Sequence, residues 1–496
     1  MTSSTSTAGS TRPPLGLLCA AQFMLVLDFA IVNVALGAMQ RDLGFTASGL
    51  QWVVGAYALF YGGFLLLGGR AGDVFGRKRM FVTGLAVFTI ASLVGGIANE
   101  PWILVLARAV QGLSAAAVSP AVLAMIAGGF PEGPERVKAM GVFGAVSSAG
   151  FTGGVVAGGL LTEFLTWRAV MLVNVPVGIL LVALAARRLL ADHKGTGSAK
   201  LDLPGAILVT SAMCALTYGL TEASDEGWGA TSVLVSLGGG AALLIAFLIV
   251  QTRVSGPLVP LSIFRNRALS AGNGIAFLSG GVMSVSTFFI TMYMQQVLGY
   301  SALRASMGFF PQAFVVFLAS LPVVKLTHKL GARNVLIAGG VLLAAGAALL
   351  AQVTADSSYW LGVLPGGVLI GLGVTVMMIS TAIAGTSGVS GPQMGLASGL
   401  FNSSRQLGVG IGLAVGVALA GVVHGAKVAT IPVSGFQGAF WFTTGLSVAI
   451  VVVSVLGLRR TAVASAAHTA PATAPAAAPA GGGEKKATVG APATAK

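Results

Sequence analysis

Charged residues are scarce in this sequence. Asp, Glu, Lys and Arg make up 8% of the 496 residues, whereas a soluble domain carries about 25%. A soluble chain of this length would need a far more polar surface to stay in water. The scarcity therefore excludes an ordinary soluble domain and indicates a protein that is surrounded by lipid.

Cysteine and histidine are also rare, and their placement excludes several kinds of site. Cys19 and Cys214 both fall inside apolar runs, and none of the 4 histidines is paired with another at the spacing of metal ligands. The sequence contains no zinc-protease, nucleotide-binding or catalytic-triad pattern. We therefore expect no disulfide framework and no metal site, and we predict that the protein is not an enzyme and needs no cofactor.

Long apolar runs are what the sequence has in abundance. Hydrophobic residues make up 55% of the chain, and they are gathered into fourteen runs with nearly all of the charged residues between them. As a helix, each run is long enough to cross a hydrocarbon core about 30 Å thick. The 71 glycines are scattered through the runs, where they let helix backbones approach closely within a bilayer. The sequence predicts an all-α integral membrane protein with fourteen transmembrane helices.

The distribution of positive charge predicts the topology. A net charge of +14 can indicate nucleic-acid binding, but here the sign follows the loops. Cytoplasmic loops are rich in Lys and Arg, and with both termini in the cytoplasm 22 of the 28 Lys and Arg residues fall on that side. The remainder are Arg41, Arg168, Arg304 and Lys427 outside, and Arg108 and Arg405 within helices. We predict a multi-pass protein of the cell membrane with both termini cytoplasmic and no nucleic-acid partner.

Three charged residues lie deep within apolar runs: Asp28, Arg108 and Arg405. A charge at the middle of a bilayer costs about 2.5–3.5 kcal/mol on insertion scales, so each needs a functional or structural reason. Asp28 can be neutralised by a proton, which makes it a candidate proton carrier. The alternative is a fixed ion pair with Arg108 that only holds helices together. Arg108 keeps its proton, so we assign it the role of a partner that tunes a carboxylate or relays charge.

The second run is predicted to span Trp52–Gly69, and the segment that follows it is basic and contains two glycines. We interpret this segment as a tight loop between antiparallel helices, in which Asp73 caps the next turn or binds a basic group across the bundle. The alternative is an anchor in which the basic residues hold the loop in the cytoplasm. The residues of this candidate cytoplasmic gate are Gly69, Asp73, Gly76, Arg77 and Lys78.

The fifth run is rich in glycine. Its glycines include Gly141, Gly150, Gly154, Gly158 and Gly159. Gly150, Gly154 and Gly158 recur every four residues and therefore line one face of a helix. Small residues on one face permit close, sliding contact with another helix, although most such patterns reflect ordinary packing of small residues. We predict helix packing at all five glycines.

Taken in order, these segments resemble the motifs of the major facilitator superfamily, and specifically of its fourteen-helix drug:proton antiporter branch. The stretch from Leu27 to Leu36 is similar to the first-helix motif of that branch, with Ala30 where threonine is usual. The five gate residues match the superfamily's loop motif. Leu104, Arg108, Gln111 and Gly112 match the fourth-helix motif, which the family links to proton transfer.

The resemblance extends into the rest of the chain. The fifth run is similar to the antiporter motif, with Val155 in place of the usual proline. Other similar positions are Trp167, Arg168, Asn174, Pro176 and the run from Asn402 to Gly408. A weaker copy of the loop motif lies between His328 and Arg333, in which Gly331 aligns with Gly76.

The resemblance implies a fold of two six-helix halves related by an axis along the membrane normal, with a two-helix insertion between them. The expected domains are a cytoplasmic N-terminus (1–14), an N-terminal half (15–186), a linker with two extra helices (187–252), a C-terminal half (253–458) and a disordered cytoplasmic tail (459–496). It also implies a monomeric exporter of small organic molecules such as drugs, antibiotics or secondary metabolites, driven by protons through Asp28 and Arg108 and surrounded by membrane lipid. Asn33, Tyr57, Gln111 and Arg405 are expected to line its substrate cavity.

Two other functions stay open from the residues alone. A proton-coupled uptake symporter would share the fold and Asp28, although the glycine-rich fifth run favours export. A membrane-embedded enzyme or sensor would need a catalytic cluster or an appended soluble domain, and the sequence offers neither. The charge of the substrate also stays open, because one acid and two arginines lie at a similar depth.

Overall fold

Helices form all the regular structure in the described part of the chain, which in this computed structural model comprises residues 13–131, 134–189, 201–386, 391–421 and 431–458. The fourteen long helices are α1 Leu15–Leu43, α2 Trp52–Phe75, α3 Arg77–Gly96, α4 Pro101–Gly129, α5 Pro134–Phe164, α6 Asn174–Arg188, α7 Leu203–Glu226, α8 Thr231–Arg253, α9 Arg267–Met292, α10 Phe310–Leu330, α11 Ala332–Leu350, α12 Leu364–Thr386, α13 Gly391–Ala420 and α14 Val433–Gly457. Short helical segments lie between them at Ala47–Leu50, Trp167–Leu172, Leu261–Arg265, Tyr293–Val297, Ala302–Gly308 and Tyr359–Val363.

The predicted number of spans is confirmed. Within the described residues, fourteen helical segments are long and apolar enough to cross a membrane. The sixth of them, Trp167–Arg188, is built from a short helix followed by α6. The predicted disordered tail, 459–496, lies outside the described residues, as do residues 1–12 of the predicted cytoplasmic N-terminus.

The helix packing repeats between the two ends of the chain. Among the first six helices, α1 packs against α5, α2 and α3 pack against α4, and α3 packs against α6. Among the last six, α9 packs against α13, α10 and α11 pack against α12, and α11 packs against α14. Each contact of the first set therefore has a counterpart in the second, and the bundle consists of two six-helix halves with the same internal arrangement.

The two inserted helices, α7 and α8, pack against each other beside the seam between the halves. α7 contacts both α2 of the first half and α13 of the second, and α2 and α13 also contact each other. A Cβ atom at Gly62 of α2 would lie only 2.9 Å from the Cβ of Gln406 on α13. The absence of a side chain at Gly62 is therefore what lets the two halves approach this closely.

The structure corrects the predicted loop after the second span. α2 continues to Phe75 and α3 begins at Arg77, so Gly69 and Asp73 lie on a helix and the turn is confined to Gly76. Gly76 has φ 100° and ψ 137°, a conformation that glycine adopts readily and other residues do not. The prediction ended the helix too early because a charged helical turn at the membrane surface has the same hydropathy as a loop.

The weaker copy of the loop motif makes the same turn in the second half. Gly331, between α10 and α11, has φ 79° and ψ 147°. Its N–H donates to the backbone oxygen of Thr327 at 3.1 Å, as the N–H of Gly76 does to that of Gly72 at 3.1 Å. The two halves thus share a turn as well as a packing pattern.

Candidate functional site

Asp28 is the centre of a buried hydrogen-bond network in the first half. Its side chain, on α1, has no exposed surface. Nη1 of Arg108 donates to Oδ2 of Asp28 at 2.5 Å. The amide of Asn174 donates to Oδ1 at 2.6 Å, and the amide of Gln111 donates to the same oxygen at 3.2 Å. Three donors from two other helices therefore surround this one carboxylate.

The guanidinium of Arg108 makes hydrogen bonds and a cation–π contact in addition to its ion pair with Asp28. Its Nη1 also donates to Oε1 of Gln111 at 2.8 Å, and its Nε donates to the backbone oxygen of Val53 at 2.9 Å. Its guanidinium carbon lies 4.5 Å from the centre of the Tyr57 ring, within the range of a cation–π contact. Arg108 and Asp28 are both fully buried. The ion pair that the sequence left open as the structural alternative is therefore formed in this conformation.

The network draws on five of the first six helices. Asp28 comes from α1, Tyr57 from α2, Ser92 from α3, Arg108 and Gln111 from α4, and Asn174 from the start of α6. The sequence identified Asp28, Arg108 and Gln111 as candidates. It missed Ser92, which accepts from the amide of Gln111 at 2.8 Å, and it noted Asn174 only as part of a resemblance. Both are polar groups inside apolar runs, but an uncharged hydroxyl or amide is too weak a signal there to identify a partner of Asp28.

The predicted glycine face of α5 packs against α1. A Cβ atom at Gly154 would lie 2.7 Å from the backbone oxygen of Leu27, and one at Gly158 would lie 2.7 Å from that of Ile31. Gly150 makes a similar contact about one turn earlier. These close contacts bracket the part of α1 that bears the carboxylate of the network, so the glycine face sets where that carboxylate lies.

The other two glycines of the motif behave differently. Gly159 faces the second half, where an added Cβ would lie 2.8 Å from the Cβ of Ser306. Gly141 is exposed, and an added Cβ would meet no atom of the described residues within 4 Å. The predicted packing role therefore does not hold for Gly141 in this conformation, because the N-terminal part of α5 is exposed around it.

The four residues expected to line a substrate cavity have different surroundings. Tyr57 and Gln111 are buried in the network, and the amide of Asn33 donates to the backbone oxygen of Phe29 at 2.8 Å. Arg405 lies on α13 and is only partly buried. Its Nε is buried and has no hydrogen-bond partner among the described residues. A role in a cavity stays a prediction for all four.

The candidate gate residues are bonded within the first half. Asp73 and Arg77 form an ion pair at 3.2 Å. Arg77 also donates to the backbone oxygen of Ala124 on α4 at 3.0 Å, and Lys78 donates to that of Leu189 at 2.6 Å. A bond from Asp73 across the bundle, which the sequence suggested, is not formed to any residue that the structure describes.

A polar cluster ties the end of α2 to the inserted helices. Arg70 donates to the backbone oxygen of Gly256 at 2.9 Å. Asp202, which precedes α7, accepts from Gln251 at 2.6 Å and from the N–H of Leu258 at 3.0 Å. Burial by itself would raise the pKa of Asp202, but these hydrogen bonds and the charge of Arg70 hold that pKa below its ordinary value. The insertion is thus anchored beside the gate segment.

Polar contacts join the two halves at the end of the bundle that contains the C-terminal end of α1. The amide of Gln295 donates to the backbone oxygen of Val34 at 2.9 Å. The amide of Gln296 donates to Oε1 of Gln40 at 3.4 Å. Gly159 meets the second half at this same end.

Known proteins match this chain along most of its length. The model of the Major Facilitator Superfamily matches residues 18–408 and also residues 272–487. The cephamycin export protein CmcT of Amycolatopsis lactamdurans is 40% identical over 478 residues, which cover 95% of this chain and 97% of that protein. The puromycin resistance protein pur8 of Streptomyces alboniger is 41% identical over 81% of this chain and 80% of its own length. The lincomycin resistance protein of Streptomyces lincolnensis is 32% identical over 82% of this chain and 83% of its own length.

Solved transporter structures share the fold at low sequence identity. The nucleoside transporter NupG matches with a TM-score of 0.60 at 14% identity, over 89% of this chain and 98% of that one. A structure of a proton dependent oligopeptide transporter matches with a TM-score of 0.62 at 15% identity, over 89% of this chain and 96% of that one. Family match and relatives together confirm the resemblance that the motifs indicated and show a transporter rather than an enzyme. The chain belongs to the Major Facilitator Superfamily.

Proposed function

We propose that this protein is a proton-coupled antiporter that exports small organic molecules, antibiotics or related secondary metabolites, across the cell membrane. Three relatives are named for the export of cephamycin or for resistance to puromycin and lincomycin. Export is the direction in which a transporter protects a cell from a toxic compound. The relatives therefore support export over proton-coupled uptake by the same fold.

The buried carboxylate of Asp28 is the observation that carries the proton coupling. A carboxylate inside a span is costly and marks a functional site by default. Asp28 has no exposed surface, and it accepts hydrogen bonds from side chains on α4 and α6. It is therefore a titratable group whose charge state is coupled to the contacts between helices.

Proton uptake by Asp28 would change those contacts. The ionised carboxylate only accepts hydrogen bonds, whereas the protonated acid carries a hydrogen that it must donate. Protonation also leaves Arg108 as a buried charge without a counter-ion, which is strongly unfavourable. It therefore favours a rearrangement of α1 against α4 and α6, and a proton that prefers one arrangement shifts the protein toward it.

The conformation fits the cytoplasm-facing stage of an antiport cycle. With the orientation predicted from Lys and Arg, the end closed by Gln295 and Gln296 is the outer end. The exposed N-terminal part of α5, around Gly141, is then the cytoplasmic end. An ionised Asp28 paired with Arg108 is the state that such a transporter holds after it releases its proton inward.

We extend the same proposal to the organisation of the chain. We propose that both termini lie in the cytoplasm. We also propose that the protein is a monomer in membrane lipid and that it transports protons and a small-molecule substrate. The helix ends move the proposed domain boundaries by one or two residues, because α6 ends at Arg188 and α8 at Arg253.

Transport by Asp28→Asn tests the proton role. The full-length protein is reconstituted into proteoliposomes, and the movement of cephamycin, puromycin and lincomycin is measured under an imposed pH gradient. We expect the wild type to move at least one of them uphill. Asp28→Asn keeps the shape of the side chain, but it replaces one acceptor oxygen with a donor, as the protonated acid does, and it cannot titrate. It should therefore lose uphill transport, while the rearrangement that accommodates the protonated acid lets it retain folded yield. Asp28→Glu should keep part of the activity with a changed pH dependence.

Asp42→Asn is the matched control, because Asp42 also lies on α1 and pairs with an arginine, Arg168, away from the network. It should leave uphill transport intact. A loss of folded protein from Asp28→Asn would instead support a fixed ion pair with Arg108. Full uphill transport by Asp28→Asn would rule out Asp28 as the proton carrier.

A further inference from the structure

Arg405 carries a positive charge that its described surroundings do not neutralise. It lies near the middle of α13, and its buried Nε has no hydrogen-bond partner among the described residues. The titratable side chain that acts on it within the described chain is Tyr61, a phenol rather than a carboxylate. A guanidinium in this position is costly unless something pairs with it.

The other deep charges cancel each other. Arg108 is paired with Asp28 at 2.5 Å, and both are fully buried. The sequence alone left one acid and two arginines at similar depth, with no means of telling which arginine was matched. The structure pairs the acid with Arg108, so among the deep charges of the described residues the +1 of Arg405 is the one without a counter-charge.

The neighbours of Arg405 along α13 have their polar groups already engaged. The hydroxyl of Ser403 donates to the backbone oxygen of Gly62. The hydroxyl of Ser404 donates to Oδ1 of Asn273 at 3.0 Å. These two residues join α13 to α2 and α9. Arg405 makes no comparable bond to any residue that the structure describes, so its charge is not explained by a structural contact there.

Arg405 also lies at the seam between the two halves. A Cβ atom at Gly280 on α9 would clash with the backbone oxygen of Arg405, so α13 packs closely against α9 of the second half at this residue. Tyr61, whose phenol interacts electrostatically with Arg405, is on α2 of the first half. In transporters built from repeats, the substrate lies near the midplane at the interface between the repeats.

We propose that Arg405 binds an anionic group of the substrate, in particular a carboxylate, so that the exporter takes organic anions or zwitterions in preference to organic cations. A carboxylate matches the planar fork of a guanidinium with two parallel hydrogen bonds. It would supply the missing counter-charge, whereas a cationic substrate would be repelled by the same residue. This inference rests on the proposed export function and names the substrate class of its site.

Three probes with one aromatic body and different charges test the inference: naphthylacetate, naphthylacetamide and naphthylethylamine. Their binding to the purified full-length protein is measured by tryptophan fluorescence and by thermal unfolding, without a proton gradient. We expect the anion to bind about tenfold or more tightly than the neutral amide, as expected for hydrogen bonds to a charged group. The amine should bind most weakly.

Two substitutions assign the preference to this residue. Arg405→Gln should abolish the preference for the anion over the amide. Arg405→Lys, which keeps the charge and loses the fork, should retain part of it and also serves where the glutamine variant folds poorly. Arg304→Gln, which removes an exposed cation, should leave the preference unchanged.

The proposal is overturned by any of three results: equal or tighter binding of the amine to the wild type, no binding of the anion, or an unchanged preference in Arg405→Gln. Because binding is measured without a gradient, the outcome is independent of proton coupling. An Arg405-dependent anion preference in a protein that shows no uphill transport would refute the antiport mechanism and leave the substrate class standing.

Discussion

At the residue scale, the buried charged side chains are the features of the site that are most readily predicted from the sequence. Asp28 and Arg108 could be predicted because a charge inside an apolar run is costly and therefore conspicuous, and the structure pairs them at 2.5 Å. Ser92 and Asn174 could not be predicted as partners. An uncharged hydroxyl or amide is far less conspicuous in a run, and only the packing of α1, α3, α4 and α6 brings these groups together.

Asn174→Ala is the substitution that tests how the network controls Asp28. It removes a donor at 2.6 Å from the buried carboxylate, and a hydrogen bond to a charged group contributes about 1.5–3 kcal/mol. The substitution should therefore weaken the attachment of α6 to α1 through this carboxylate. We expect gradient-driven efflux, normalised to the folded protein and measured in proteoliposomes, to fall about tenfold or more.

The control for this prediction is Asn334→Ala. Asn334 donates to the backbone oxygen of Leu330 at 3.0 Å in an exposed position, so its removal should leave efflux unchanged. Unchanged efflux from Asn174→Ala would mean that the hydrogen bond from α6 to Asp28 is not needed for transport.

At the element scale, the spacing of small residues predicted a packing face but not its extent. The four-residue repeat on α5 is a property of one helix, and it was enough to predict that Gly150, Gly154 and Gly158 share a face. The partner, α1, and the point near Gly141 where packing stops depend on how the whole bundle is arranged. Local spacing carries no information about either.

Gly154→Leu is expected to abolish transport. A Cβ atom there would lie 2.7 Å from the backbone oxygen of Leu27 and 2.9 Å from the Cβ of Ala30, so a leucine must push α1 away from α5. Overpacking of this kind costs about 1–3 kcal/mol, and it moves the helix that bears Asp28. The measurement is gradient-driven efflux, normalised to the folded protein in the membrane.

Gly141→Leu adds the same side chain to the same helix where it meets open space, and it should keep most of the transport activity. Normal efflux from Gly154→Leu would show that the close contact between α5 and α1 is not needed at any stage of the cycle.

At the scale of the whole molecule, the bilayer made the span count and the order of the helices predictable. Every spanning segment must be long, apolar and internally hydrogen-bonded, and positive charge marks the cytoplasmic loops. Which end of the bundle is closed could not be predicted from span length, hydropathy or charge. Two conformations of a transporter share the same helices and differ in contacts such as that between Gln295 and Val34, which leave no pattern in the sequence.

A reversible cross-link between the halves tests whether the closed end has to open. An added Cβ at Gly159 of α5 would lie 2.8 Å from the Cβ of Ser306, and a disulfide needs a separation of about 3.5–4.5 Å. A small relaxation therefore lets Gly159→Cys and Ser306→Cys, combined after the native Cys19 and Cys214 are replaced by alanine, form a disulfide on oxidation.

Because alternating access requires the halves to separate at this end, we expect the oxidised protein to lose efflux and the reduced protein to regain it. Gly141→Cys combined with Ser306→Cys is the control, since an added Cβ at Gly141 meets no atom of the described residues within 4 Å and should form no cross-link. Undiminished efflux from fully cross-linked protein would mean that this end stays closed throughout the cycle. Substrate would then have to leave by another route, and the proposed exchange of inward- and outward-facing states would fail.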